Sequence, residues 1–309
     1  MRIRVNSRVV QSFFETPWAI LPAKLLDIQA FLLDHAAGVE YSPEEIAART
    51  AGRPKPQISP NAGVGVLNVM GTISQRVSMM SEISGGSSTE KLGSDLRAMV
   101  KSPEVKAIIL NIDSPGGSVY GVQELADVVY EARQSKPVYA LANSMAASAA
   151  YWIGSQASEF YAAPGGEVGS IGVITAHTDA SKLYEKEGLT TNLITAGKYK
   201  GEGSPFGPLS DETRAAMQER VDAFYGDFVK SVARGRGTDS AAVRGGFGEG
   251  RLVSGKSAVS QGMIDGISTF SELVDRAFGA SSDGARANVG SGTPDAAYRL
   301  KKLELMRRG

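Results

Sequence analysis

From Gly63 onward the chain alternates between short apolar runs and amphipathic stretches, and that alternation limits the fold more than any other feature. Val64-Gly-Val-Leu-Asn-Val-Met70 and Ala107-Ile-Ile-Leu-Asn-Ile112 have the β-branched, nearly continuous apolar character of strands covered on both faces. Val138-Tyr-Ala-Leu141 is a third such run. Between them, residues 89–101 place Leu92, Leu96, Met99 and Val100 on one helical face, and Val119, Val122, Leu125, Val128 and Val129 mark a second helix. Gly172-Val-Ile174 and residues 190–195 are expected as further strands. A helix is expected over residues 180–186, and a long one from an N-cap at Ser210 to about Val232. Strands alternating with helices predict an α/β fold with a parallel sheet covered on both sides.

The flanks differ from this middle. Pro22 at a first helical position, followed by Leu25, Ile28 and Leu32, predicts an amphipathic helix to about His35. Gly52, Pro54, Pro56 and Pro60 read as a linker, so residues 1–60 form a helical N-terminal arm and residues 61–279 the main domain. After Phe278 the composition turns to Ala, Ser, Gly and Asp and ends on a basic segment, giving a flexible C-terminal tail over residues 280–309.

Composition removes several chemistries. With no cysteine, there is no disulfide, thiolate metal site or cysteine nucleophile, which fits a reducing compartment. Two histidines, His35 and His177, form no metal-binding pair, and no cofactor or metal is expected. Thirty-three basic residues balance thirty-three acidic ones, so no net charge points to nucleic acid or an acidic membrane. The first 34 residues are broken by Asn6, Gln11, Glu15, Pro17, Pro22, Lys24 and Asp27; neither a secretory segment nor a membrane span is expected, and the location is read as cytoplasmic. Gly250-Arg-Leu-Val-Ser-Gly255-Lys256-Ser257 satisfies the phosphate-loop pattern by letter. However, no buried strand precedes it and Arg251-Leu-Val253 is itself strand-like, so the match is read as accidental.

Three segments fit nucleophilic catalysis. Asp113-Ser-Pro-Gly-Gly-Ser118 lies where a buried strand turns into a helix, and its glycines let backbone N–H groups face a ligand; an ordinary strand–helix turn has the same letters. Ser148 stands among small residues directly after a strand, where a helix start favours negative charge, although a close-packed small-residue helix looks alike. Thr195-Ala-Gly-Lys198-Tyr-Lys200 offers two lysines, either of which could serve as base if desolvated. His177 is the alternative base in a histidine-dependent triad.

Together, Ser114-Pro-Gly-Gly117, Ser144-Met-Ala-Ala-Ser148, Gly169-Ser-Ile-Gly-Val173, Gly197-Lys-Tyr-Lys200 and Gly250-Arg-Leu-Val-Ser-Gly255 with Gly262-Met-Ile-Asp265 resemble the signal peptide peptidase A (SppA) family of serine proteases. The resemblance covers residues 62–278 and implies the Clp protease/crotonase-like fold. It also implies a Ser–Lys dyad of Ser148 as nucleophile and Lys200 as general base, with Lys198 the weaker match. By the same resemblance Ser170 orients the lysine, and the backbone N–H groups of Gly117 and Ala149 form the oxyanion hole. Ala149-Ala150 departs from the Gly-Gly usual in relatives and narrows the backbone freedom there.

Pro17-Trp-Ala-Ile-Leu-Pro22 and Ile174-Thr-Ala-His177-Thr-Asp179 look like segments of the phage capsid assembly members of the family, which makes His177 a subtype marker. The implied function is an endopeptidase cutting scaffold or capsid polypeptide during phage or prophage head assembly. It would work as a homo-oligomeric ring in which serine and lysine can come from neighbouring subunits, with the N-terminal arm as a candidate contact. The alternatives are an untethered cellular SppA-type peptidase acting on signal peptides or unfolded chains, a crotonase-like acyl-CoA enzyme, and a non-catalytic assembly protein.

Overall fold

The computed structural model describes residues 16–36, 57–59, 63–76 and 86–286. In chain order these form β1 (Trp18–Ile20), α1 (Pro22–Ala36), β2 (Gln57–Ser59), β3 (Val64–Met70), β4 (Ile73–Ser74), β5 (Ser87–Ser88), α2 (Thr89–Lys101), β6 (Ala107–Ser114), β7 (Gly116–Ser118) and α3 (Val122–Ser135). There follow β8 (Val138–Ala147), α4 (Ala149–Gly154), β9 (Glu159–Ala162), β10 (Glu167–Gly169), α5 (Ser181–Lys186), α6 (Asp211–Arg236), α7 (Ser240–Gly246), β11 (Leu252–Ser254), α8 (Gly255–Ser260), β12 (Gly266–Ile267) and α9 (Phe270–Arg286).

The larger sheet has the order β11-β10-β8-β6-β3-β2, with β9 paired to β8 and β12 paired to β9. Its inner pairs are parallel and the pairs β2–β3 and β10–β11 are antiparallel, the α/β class expected from the alternating pattern. Period-two alternation explains why the strands read as continuous apolar runs. Val64, Val66, Ala107, Ile109, Tyr139 and Leu141 face Leu273, Val274 and Ala277 of α9. Leu67, Val69, Ile108, Leu110, Ile112 and Val138 face the opposite core with residues of α2, α3, α4 and α6.

Helix ends are specified locally. The Ser88 hydroxyl accepts from Lys91 N–H (3.3 Å) to start α2, and the Lys136 ammonium donates to Met99 O (2.9 Å) and Ser102 O (2.6 Å) where it ends. Burial moves the Lys136 amine below the usual lysine range, with Lys106 adding to it. Ser210 caps α6 by accepting from Thr213 N–H (3.2 Å), as its sequence predicts.

β8 divides its partners. Its first half, Tyr139 to Ala142, pairs with β9, and its last three residues, Met145 to Ala147, pair with β10. A register irregularity between Ile112 and Ser114 lets β6 follow the same bend, so the ends of β6 and β8 emerge together. Across those ends lies the second sheet, of order β1-β7-β4-β5.

Two expected strands differ. Of Gly172 to Ile174 only Ile174 pairs, through a single bridge to Trp18. Residues 190–195 pair with nothing among the described residues and are exposed, Ile194 almost completely at 98%. A strand needs a neighbour to take its backbone groups, and the described residues supply none there. The phosphate-loop look-alike folds as β11, its turn and the start of α8, in agreement with reading it as a strand. The linker expected around Gly52 to Pro60 lies outside the described residues except for β2. The helix α9 runs past Phe278 to Arg286, and the basic segment beyond it is also outside them.

Candidate active site

Ser148 is delivered by the end of β8 and immediately precedes α4, a six-residue helix. Its backbone has φ 54° and ψ −117°, a conformation that L-residues avoid. Its amide donates to Gly169 O (2.7 Å) and its carbonyl accepts from Trp152 N–H (2.9 Å), so both neighbours hold the strained turn. Ser148 is fully buried, and its hydroxyl donates to Gly172 O at 3.4 Å. Behind it α4 is anchored by the Trp152–Phe228 stack (4.5 Å between centroids) and by Tyr151, whose hydroxyl donates to Met263 O (2.9 Å).

The Ser-Pro-Gly-Gly segment lies beside this serine. The Ser114 hydroxyl donates to Gly71 O (2.6 Å) and accepts from Gly116 N–H (3.2 Å), fixing the turn from β6 into β7. Gly116 has φ +96°, and a β-carbon there would stand 3.0 Å from both Ala147 O and Ser148 Cβ. A β-carbon on Gly117 would stand 1.9 Å from Ile73 O, so only glycine fits. Ala149 lies within α4 and is not among the described non-glycine residues with positive φ. The alanine therefore does not strain the backbone here, contrary to the restriction expected from the sequence. Gly117, Ser148 and Ala149 thus come together at one end of both sheets.

Ser170 follows β10, is buried, and also has φ 54°; its amide donates to Arg251 O (2.8 Å). The lysines are elsewhere. Lys198 donates to Glu212 (2.8 Å) and to Tyr199 Oη (2.7 Å), contacts that, Glu212 first, hold its amine above the usual lysine range and hence protonated. Lys200 is exposed, where desolvation of a lysine base had been expected, and no hydrogen bond joins it to Ser148 among the described residues. Its segment, residues 189–200, is exposed throughout and includes Leu189, Leu193, Ile194 and Tyr199. Among the described residues the protomer therefore brings Ser148 beside Gly117 and Ala149, as expected of a nucleophile with two backbone donors, and leaves Lys200 on an exposed surface that includes apolar side chains. His177 bonds Ser204 O (3.0 Å), on the segment that leads to α6, and no hydrogen bond joins it to Ser148 among the described residues.

One component escaped the sequence reading: β1. It pairs antiparallel with β7 in the register Trp18↔Ser118, Ala19↔Gly117, Ile20↔Gly116, and Trp18 exchanges two 2.8 Å hydrogen bonds with Ile174 on its other side. The available signal was Trp-Ala-Ile, a β-prone tripeptide fenced by Pro17 and Pro22.

Residues 131–281 match the family model of Peptidase family S49. The head-tail preconnector protein GP5 of Enterobacteria phage P21 is 33% identical over 231 residues, covering 75% of this chain and 45% of that protein. Capsid assembly protease C of Escherichia phage lambda is 34% identical over 203 residues, covering 66% and 46%. A putative protease of Synechocystis is 30% identical over 190 residues, covering 61% and 68%. The chain spans a little under half the length of the two phage relatives.

Proposed function

The chain belongs to peptidase family S49, and on that premise we propose that it is a serine endopeptidase that processes scaffold or capsid polypeptide during phage or prophage head assembly. Ser148 is the nucleophile and Lys200 the general base. The amine takes the hydroxyl proton as Ser148 Oγ attacks the substrate carbonyl carbon. The N–H groups of Gly117 and Ala149 hold the resulting oxyanion. The lysine then gives its proton to the leaving amine, and water, deprotonated in turn by the lysine, hydrolyses the acyl-enzyme and restores the serine. Ser170 orients the lysine.

The observation that carries this reading is the strained backbone of Ser148 beside Gly116 and Gly117. Such a conformation persists only where its surroundings impose it, and here it sets the serine against two glycines whose positions leave no room for a β-carbon. Lys200 reaches a serine in this reading from a neighbouring copy of the chain. The exposed Leu189, Leu193 and Ile194 around it form an apolar surface for that copy to cover. The relatives at 33–34% identity support the phage setting, and a bacterial host's cytoplasm is part of this reading. Among the described residues no helix is long and apolar enough to cross a membrane.

The test compares wild type, Ser148→Ala and Lys200→Ala on a denatured protein substrate. Each variant alone is expected to lose activity, and mixing the two is expected to return part of it, because a wild-type serine then meets a wild-type lysine across an interface. Activity surviving in either single variant defeats the dyad. Two inactive variants that stay inactive when mixed reject its sharing between subunits.

A further inference from the structure

We propose that residues 17–21 are a built-in occupant of the peptide cleft, lying in the register of a substrate strand, and that polypeptide substrate gains access only when this strand leaves. The cleft has two walls, residues 116–119 on one side and residues 172–174 on the other, with Ser148 at its floor. β1 fills it. Val119 N–H donates to Pro17 O (3.2 Å) and Leu21 N–H to Pro115 O (3.0 Å). Bonded pairs alternate along an antiparallel ladder, so the intervening bonded pair is Ala19 with Gly117. The Gly117 N–H, the proposed oxyanion donor, is thereby turned to the Ala19 carbonyl.

That carbonyl is also beside the nucleophile. A β-carbon on Gly116 would stand 2.2 Å from Ala19 O and 3.0 Å from Ser148 Cβ, so both atoms crowd the same point. The opposite edge is taken as well, by the paired bonds between Trp18 and Ile174. Addition of a strand between two edges is a general way for a protein to hold an extended peptide. Here the chain's own segment satisfies both edges, with Ala19 fully buried and Ile20 nearly so. An incoming peptide needs the same backbone groups and cannot share them.

The inference rests on the proposed peptidase reading for its consequence, access to Ser148, and the test separates the two. Trp18 and Ser118 face each other as a non-bonded antiparallel pair, whose Cα atoms approach to about 4.5 Å, within disulfide reach. The protein has no cysteine of its own, so Trp18→Cys with Ser118→Cys gives one defined pair. Cleavage of fluorescein-labelled denatured casein is followed in the oxidised and the reduced full-length protein. In parallel, a fluorescent synthetic peptide carrying residues 15–23 is titrated into both forms in a Ser148→Ala background.

Locking the strand is expected to slow cleavage at least tenfold, with dithiothreitol restoring it, and to weaken peptide binding by a similar factor. Equal cleavage by both forms overturns the inference and leaves the peptidase standing. Failure of the pair to oxidise overturns it too, because the strand is then not in the cleft. If neither form cleaves, the peptidase reading fails, and peptide binding decides the occupant: selective binding to the reduced form supports it, and equal binding rejects it.

Discussion

Ser148 shows how much can depend on one backbone angle. A non-glycine residue at φ 54° stores roughly 1–3 kcal/mol of strain, and replacing it by glycine removes that strain at an entropic cost of about 0.5–1 kcal/mol. Ser148→Gly is therefore expected to unfold at higher urea concentration than Ser148→Ala, by up to about 2 kcal/mol, while both lack peptidase activity. Equal midpoints for the two would mean that the turn is not strained. Lys198 gives the opposite lesson. Its contact with Glu212 favours the charged amine, so Lys198→Ala is expected to retain most activity where Lys200→Ala does not. Neither the serine nor the glycine turn was legible alone, since an ordinary turn and a close-packed small-residue helix have the same letters. They stood out only when several motifs were read together, and the structure sets Ser148 beside Gly116. The place of Trp18-Ala-Ile20 was not legible, since nothing in three residues says which edge they will join.

At the scale of elements, the return of the chain from α6 to the sheet depends on one clamp. Arg236 grips Asp265 through two 2.8 Å hydrogen bonds, and Asp265 also accepts from Phe160 N–H (2.7 Å) at the start of β9. Burial pushes the Asp265 carboxyl up, but the Arg236 fork and the Phe160 amide outweigh it and hold it below the usual carboxylate range. In acid the unfolded chain then binds the proton more readily than the folded one. The clamp's contribution is complete above the unfolded carboxylate value of about 4 and fades as pH falls through the lower folded value. Asp265→Asn is expected to cost about 1–3 kcal/mol at pH 7 and to flatten the acid side of the stability profile. A chemical-denaturation series from pH 7 to pH 3 checks this, and an unchanged acid slope would reject it. Apolar runs identified β3, β6 and β8 because both faces of each are covered within the protomer. Residues 190–195 are a weaker run, with only Leu193 and Ile194 apolar, and they pair with nothing among the described residues, so those two side chains keep an unmet need for burial.

At the scale of the whole molecule, that unmet need becomes a statement about assembly. Ile194 is 98% exposed next to the proposed base, an arrangement stable in water only at a cost that association would remove. Ile194→Asp is expected to leave the thermal unfolding of the protomer unchanged, to shift sedimentation toward the monomer, and to lower peptidase activity at least a hundredfold. Full activity from a monomeric variant would place the base within one subunit.

The contacts that hold residues 17–21 at the serine have a consequence for selection. The bonds to Gly117, Val119, Pro115 and Ile174 are all made by main-chain atoms, which every polypeptide carries. Discrimination at this point is thus between conformations more than between sequences: a folded protein has its amides and carbonyls already committed, whereas a loosened chain offers them freely. Such an enzyme would recognise the moment at which its target comes undone, and timing of cleavage would follow the target's own unravelling.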